Sequence, residues 1–177
     1  PIGLEHTIDD VVGNRIYSIS GMNPSEFYRK YLGESVAQTE FPLIVERNGI
    51  ATARAVLMEH DDGSLSCGGN LRKGDIVRLS FGDAEAIMSN SLQSFDNLAS
   101  HPIETFFIYS CMARRRYMPD MIVVEIKPFS QIATTSGFFT YGEFYHNDGH
   151  NEMLNQTLTI VALSEDTKKM TKLKEKR

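Results

Sequence analysis

The chain has 177 residues and a mass of 19.9 kDa, which is enough for one domain with a hydrophobic core. An apolar fraction of 41% with 10 phenylalanines and 7 tyrosines excludes a disordered polymer, and two cysteines exclude a disulfide framework. No apolar run approaches the roughly 20 residues that cross a bilayer, so no membrane partner is expected. Residues 168–177 hold six of the 18 basic and one of the 23 acidic residues, which leaves 12 against 22 and a charge of −10 on the remainder. Such an acidic body disfavours nucleic acid as a partner.

The first half of the sequence predicts a β-rich region with one short helix. Gly13-Asn14 predicts a hairpin turn, and Asn23 before Pro24 predicts the start of a helix that ends at Gly33. The later strands have a spacing typical of an antiparallel meander. The strands are predicted over Glu5–Val12, Arg15–Ile19, Phe41–Glu46, Ile50–Glu59, Ser64–Cys67 and Asp75–Phe81.

The second half alternates helices with strands. Asp83 predicts the cap of a helix over Ala84–Ala99, and the apolar run Thr105–Tyr109 is typical of a strand buried on both faces. In the stretch Pro119–Ile132, Ile122-Val123-Val124 favours a strand and Pro119-Asp120 the start of a helix, and Pro128 would interrupt either one; we favour a broken helix. The last strands are predicted over Ser136–Phe144 and Asn155–Leu163, with a polar loop over Tyr145–Glu152 between them. The whole pattern predicts an α+β fold with a mostly antiparallel sheet, flanking helices and a C-terminal helical linker.

The segment Cys111–Tyr117 (CMARRRY) concentrates the chemistry of the sequence. The three adjacent guanidinium groups of Arg114–Arg116 are suited to bind a carboxylate or phosphate. The alternative is that these arginines are solvated or form surface ion pairs. The same arginines would activate the thiol of Cys111 if they lay close to it. No partner histidine can be assigned from spacing, so a buried, inert cysteine is the favoured interpretation.

Two further features have a functional and a structural interpretation. His146 and His150 are residue types that bind zinc, but Asn147-Asp148-Gly149 favours a turn between them, so no metal site and no cofactor are expected. The aromatic strand that begins at Gly137 could wall a pocket or belong to ordinary sheet packing. Neither feature decides the function.

Three segments in this order, SCMARRR, SGFFTYGEF and NEMLNQTLTIVALSE, resemble the C-terminal half of the FIST sensory domain. Its members carry a Ser-Cys-x-x-Arg element, a Gly-Phe-x-x-Tyr-Gly-Glu strand and an Asn-Gln-Thr strand. The resemblance extends upstream through GNRIYSISGMNPSEFYRKYLG and GDIVRLSFGD. It implies a bacterial, cytoplasmic input module that senses small ligands such as amino acids, joined to a cyclic-di-GMP, histidine kinase or chemoreceptor output.

The resemblance also implies a set of ligand-binding residues, to which the arginine cluster adds Arg115. Our hypothesis is that Arg114 holds an anionic group, Glu143 an ammonium group, and Tyr141 with Asn155 orienting hydrogen bonds. No catalytic residue is expected. The expected ligand-binding residues are Ser110, Cys111, Arg114, Arg115, Tyr141, Gly142, Glu143, Asn155 and Thr157.

The predicted organisation is a sensory domain over 1–163 and the start of a helical signalling linker over 164–177. Because the sequence opens with Pro1, we expect it to be a segment of a longer parent chain. The expected partners are an amino-acid-like ligand, the N-terminal FIST half and the output domain of the parent, and a second parent copy in a homodimer. A Cys111-dependent enzyme or redox sensor is the alternative function, and a purely structural interaction module is a third.

Overall fold

The computed structural model describes residues 1–34, 40–147 and 149–165. The chain divides into two compact units. Unit 1 consists of Pro1–Gly82 with Phe144–Gln156, and unit 2 consists of Asp83–Glu143 with the chain from Thr157 onward. The segment 144–156 therefore returns to unit 1 after the chain has built most of unit 2.

Unit 1 is built on one seven-stranded antiparallel sheet with the order β4-β3-β7-β1-β2-β6-β5. Strands β4 and β5 lie at opposite edges of this order although only Ala55 separates them in the chain, so the sheet curls until its edges approach each other at Ala55. Its strands are β1 (Ile2–Val12), β2 (Arg15–Ile19), β3 (Leu43–Arg47), β4 (Ile50–Arg54), β5 (Val56–Glu59), β6 (Leu65–Cys67) and β7 (Ile76–Leu79).

Two sequence predictions for this sheet are wrong. The single strand expected over Ile50–Glu59 is two strands, because the first half pairs with β3 and the second half with β6. The expected meander is wrong because β7 inserts between β3 and β1, so its neighbours in the sheet are distant in the chain. The hairpin of β1 and β2 at Gly13 is confirmed.

The helix of unit 1, α1 (Pro24–Leu32), confirms the capping signal. The side chain of Asn23 accepts a hydrogen bond from the backbone of Ser25, and the helix ends at Gly33, whose φ is +86°. Its face buries Phe27 and Tyr28, and the Tyr28 hydroxyl donates to the carbonyl of Phe41. Each such side chain contributes roughly 1.5–3 kcal/mol by leaving water. The sheet residues of this core are Ile8, Ile16, Ile19, Leu43, Val45, Val56, Leu65, Val77 and Leu79.

A two-stranded sheet of β10 (Glu143–Asn147) and β11 (His150–Leu154) occupies the returning segment. The polar loop expected over Tyr145–Glu152 is therefore wrong, although residue 148 lies outside the described residues. Gly149, the residue before β11, has a φ of +82°, a conformation that favours glycine at turns.

Unit 2 contains a three-stranded sheet with the order β12-β8-β9, in which β8 is antiparallel to β12 and parallel to β9. The stretch is helical, as favoured, but the interruption expected at Pro128 is wrong, because a 3-10 turn precedes α4 and α4 continues through Pro128. The elements are α2 (Ala84–Ala99), β8 (Thr105–Cys111), α3 (Met112–Tyr117), the 3-10 turn (Pro119–Met121), α4 (Ile122–Ile132), β9 (Thr134–Thr140) and β12 (Leu158–Leu163).

The core of unit 2 lies on one face of this sheet. The ring of Phe129 on α4 packs edge-on against Phe106 of β8 and Phe95 of α2, with centroid distances of 5.3 and 5.2 Å. Phe107, which points to the other face, is 37% exposed. The expectation that β8 is buried on both faces is therefore wrong, because the helices cover one face only among the described residues.

The ends of the last strands also differ from expectation. Strand β9 stops at Thr140 and β10 begins at Glu143, while β12 begins at Leu158 rather than at Asn155 because Gln156 adopts a left-handed φ of +58°. Of the predicted linker over 164–177 only residues 164 and 165 are described, and the predicted boundary at 163 stays a prediction. No helix of the described residues is both long and apolar enough to cross a membrane.

Candidate functional site

One edge of the unit 2 sheet gathers most of the predicted site. Because β8 and β9 are parallel, their carboxyl ends lie at the same edge, and the antiparallel β12 begins there. The carboxyl ends of parallel strands are a common place for ligands in α/β sheets. Eight of the nine predicted residues lie near this edge, at or beside the ends of these strands, on the short helix α3, in the turn after β9 or at the start of β10: Ser110, Cys111, Arg114, Arg115, Tyr141, Gly142, Glu143 and Thr157.

Gly137 allows β8 and β9 to pair closely. It lies opposite Ile108, and a Cβ atom at this position would be 1.9 Å from the Ile108 carbonyl oxygen. Any side chain here would push the strands apart. The same register places Thr140 opposite Cys111, and the Thr140 hydroxyl lies 3.4 Å from the Ser110 carbonyl oxygen.

Glu143 is a buried carboxylate at the centre of this edge, with 2% of its surface exposed. Thr140 donates a hydrogen bond to its Oε1 atom, and Thr157 donates to its Oε2 atom at 2.7 Å. Among the described residues no Lys, Arg or His nitrogen lies within 4.0 Å of this carboxylate. The negative charge of Glu143 therefore meets only neutral donors.

Cys111, the last residue of β8, is hydrogen-bonded through its backbone to Thr157, the residue before β12. Its backbone N–H donates to the carbonyl of Thr157 at 2.9 Å, and its side chain is 5% exposed. A thiol that is buried in this way is not placed to attack a substrate in solution. The geometry gives no support to the alternative in which Cys111 is a nucleophile or redox sensor.

Arg114 is committed to an internal partner. Its Nη2 atom donates to Oε1 of Glu125, an almost completely buried carboxylate on α4 that also accepts from the Ser91 hydroxyl. Three buried polar atoms of unit 2 have no hydrogen-bond partner among the described residues: Ser110 Oγ, Arg114 Nε and Glu125 Oε2. In most folded proteins nearly all such atoms are paired, so this cluster needs an explanation.

Arg115 and Tyr141 are the exposed members of the set. The Arg115 guanidinium lies over the ring of Phe139, 4.9 Å from the ring centroid, and makes no ion pair with a described carboxylate. Tyr141 is 78% exposed. A cation–π contact of this type holds the guanidinium at the edge while its N–H groups remain accessible.

A cavity of about 180 Å³ lies beside this edge within unit 2. The unpartnered hydroxyl of Ser110 belongs to its wall, and the rest of the wall is largely apolar. Its volume suits a small molecule rather than a nucleotide. The lining residues are Ile108, Ser110, Ile126, Thr135, Ser136, Gly137, Phe138 and Phe139.

The FIST C domain model matches residues 24–146. The chain belongs to the FIST C domain family. No curated protein and no solved structure matches it. Because this is a family of sensory domains, the chain is a sensory domain of signal transduction, as the resemblance implied. The matched segment covers the predicted site from Ser110 to Glu143, whereas Asn155 and Thr157 lie beyond it.

Asn155 is the one predicted site residue of this FIST C domain that belongs to unit 1. Its Oδ1 atom accepts from Arg54 Nη1 at 2.7 Å, and its Nδ2 atom donates to the Gly68 carbonyl at 3.3 Å. Both ends of its amide are thus used inside unit 1. The structure does not test the hypothesis that Asn155 orients a ligand.

Sequence reasoning considered Glu125 only as an acid/base pair with Glu143 and passed over Arg54, so it predicted the buried partners of neither residue in this FIST C domain. Glu125 stands alone in the apolar run IVVEI, and a lone acid on the buried face of a helix is a signal for a buried partner. Arg54 interrupts the β-prone run over 50–59 in the same way. For the metal hypothesis, His146 Nδ1 lies 2.7 Å from Asn151 Oδ1, and the described residues contain no group of three metal-ligating side chains.

Proposed function

We propose that this FIST C domain is the ligand-sensing input module of a bacterial cytoplasmic signalling protein and performs no catalysis itself. Its ligand is a small molecule with one ammonium and one carboxylate group, which binds at the carboxyl ends of β8 and β9. The single observation that carries the proposal is the buried carboxylate of Glu143, which has two hydroxyl donors and no described cation within 4.0 Å.

Glu143 supplies the contact for the ammonium group. A buried carboxylate is costly unless a positive charge or several donors compensate it, and an arriving ammonium ion recovers that cost. Thr140 and Thr157 fix the two carboxylate oxygens, so the orientation of the acceptor is set before the ligand arrives. This preorganisation reduces the entropy lost on binding.

Arg115 supplies the contact for the ligand carboxylate. Its guanidinium is held over Phe139, the residue opposite Ser110 in the parallel pairing, and has no carboxylate partner among the described residues. Arg114 differs, because Glu125 already holds it. In this proposal Arg114 anchors α3, and Ser110 Oγ donates to a ligand in the adjoining cavity.

Calorimetric titration with three matched compounds tests this assignment: an amino acid, the amine without its carboxylate, and the acid without its amine. Wild type is expected to bind the amino acid most tightly. In a separate unfolding measurement, the amino acid at 100 times its dissociation constant should add about 2.7 kcal/mol to the unfolding free energy. In Glu143→Gln the amino acid should bind no more tightly than the acid without an amine. In Arg115→Ala the amino acid should bind no more tightly than the amine without a carboxylate.

Arg116→Ala is the matched control, because Arg116 is the exposed neighbour of Arg115 on the same short helix. It should bind like wild type. Discrimination among the three compounds that is identical in wild type, Glu143→Gln and Arg115→Ala contradicts the proposal. The absence of any binding to wild type also contradicts the proposal, because the Glu143 carboxylate would then not serve as the contact for an ammonium ligand.

The partners of the parent chain form part of the same proposal. An N-terminal FIST half precedes this domain, an output domain follows residue 177, and the parent acts as a homodimer. A ligand controls such an output only if it binds one of two conformations more tightly than the other.

A further inference from the structure

Unit 1 contains a buried arginine whose hydrogen-bond acceptors among the described residues are all neutral. Arg54, the last residue of β4, is 2% exposed. Its Nη1 atom donates to Asn155 Oδ1 at 2.7 Å and lies 3.1 and 3.3 Å from the carbonyl oxygens of Met153 and Ala53. Its Nε atom lies 3.3 Å from the carbonyl oxygen of Asn70. None of these four acceptors carries a charge.

The described residues offer Arg54 no counter-ion within 4.0 Å. Asp75, the residue before β7, is engaged by the Arg47 guanidinium and by the backbone N–H of Arg72. Burial raises the pKa of the Cys67 thiol to about 12, so that this neighbour is neutral. A buried charge without a counter-ion is a costly arrangement in a folded protein.

One donor group of Arg54 is uncommitted. The Nη2 atom has no hydrogen-bond partner among the described residues, whereas Nε and Nη1 are both used. One face of the guanidinium packs on Gly69, because a Cβ atom there would lie 3.1 Å from Arg54 Cζ. The free N–H groups of Nη2 lie in the plane of the guanidinium, so a ligand that accepts from them approaches in this plane.

We infer that unit 1 binds a small planar monoanion, a carboxylate of the size of formate or acetate, at Nη2 of Arg54. An anion at this position supplies a countercharge and accepts a hydrogen bond from a free N–H group of Nη2. Only 2% of Arg54 is exposed, and this narrow access restricts the ligand to a small one. All contributing residues belong to unit 1, so this inference is independent of the ligand proposed for unit 2.

The first test compares formate with pivalate at equal concentration and ionic strength, by thermal unfolding of the whole chain. Pivalate has the same charge, but three methyl groups crowd its carboxylate. We expect formate to raise the melting temperature saturably and pivalate to have no effect beyond that of salt. Equal effects of the two anions, or no effect of formate, would overturn the inference.

Two variants locate the site. Arg54→Gln should abolish the formate effect, and Arg116→Ala, which removes an exposed arginine of unit 2, should retain it. Arg54→Gln could unfold the chain, so Glu152→Gln provides a second test. The Glu152 carboxylate acts electrostatically on Arg54 from beyond ion-pair distance. Its removal should strengthen formate binding at least twofold. Unchanged or weaker binding in Glu152→Gln contradicts the assignment.

Crystals of the wild-type chain grown in bromide give a direct readout. Bromide is a monoanion whose anomalous scattering identifies its position. A peak within hydrogen-bond distance of Arg54 Nη2 is the expected result. Ordered bromide elsewhere on the chain together with none at Arg54 would overturn the inference.

Discussion

The ion pair of Arg114 with Glu125 allows a quantitative test of how unit 2 is held together. Glu125 is 1% exposed and accepts from Arg114 and Ser91 on one oxygen, while its second oxygen has no described partner. Arg114→Met leaves this carboxylate buried with a single hydroxyl donor. Breaking a buried pair from one side costs about 3–5 kcal/mol. Total stabilities are about 5–15 kcal/mol, so the variant should remain folded but far less stable.

The double variant Arg114→Met with Glu125→Leu removes both charges and fills the same space with apolar atoms. Replacement of a buried pair in this way is often neutral or stabilising by about 1–4 kcal/mol. We therefore expect the double variant to be at least as stable as wild type, with a coupling energy above about 3 kcal/mol. Urea unfolding followed by far-UV circular dichroism measures this, since the chain has no tryptophan. Costs of the two single changes that simply add would refute the reasoning.

Three further outcomes are expected. Gly137→Ala should destabilise unit 2 by about 1–3 kcal/mol or more in urea unfolding, because its Cβ atom would meet the Ile108 carbonyl oxygen at 1.9 Å. Gly74→Ala is the control: its Cβ atom would meet no atom within 4 Å, so this variant measures only the cost of the positive φ. Hydrogen bonds from Ser64 lower the pKa of the Asp62 carboxyl to about 2, so NMR should show this carboxyl titrating near that pH. The contribution of the ionised carboxylate to the unfolding free energy should be complete above pH 3.8 and lost as the pH falls toward 2. Native Cys67 should resist iodoacetamide at pH 8 and react fully in urea, because burial raises the pKa of its thiol to about 12; rapid labelling of the native chain would contradict this.

Local signals in the sequence predicted local structure well. The cap residues Asn23 and Asp83 begin helices in the structure, because a cap acts over two or three residues and leaves its mark in a short stretch of sequence. The Gly13-Asn14 turn is found for the same reason. Eight of the nine predicted site residues lie at one sheet edge, since motif order and strand direction together constrain where they meet.

Distant pairings could not be predicted in this way. Arg54 and Asn155 are 101 positions apart, and nothing near either residue indicates that they meet. The division of the predicted strand at Ala55 depends on which strands pair with each half, and this is decided across the sheet rather than within the segment. The exposure of Phe107 depends likewise on where the helices of unit 2 pack.

The position of β7 in the sheet has a consequence for how the chain folds. The pairs β1–β2, β3–β4 and β5–β6 are sequence-local hairpins, which form in microseconds when isolated. Strand β7 joins two of them, since it pairs with β3 on one side and with β1 on the other. Closing the long loop between β1 and β7 should therefore limit the folding rate. During synthesis, the curled sheet can assemble only after Ile76–Leu79 has left the ribosome.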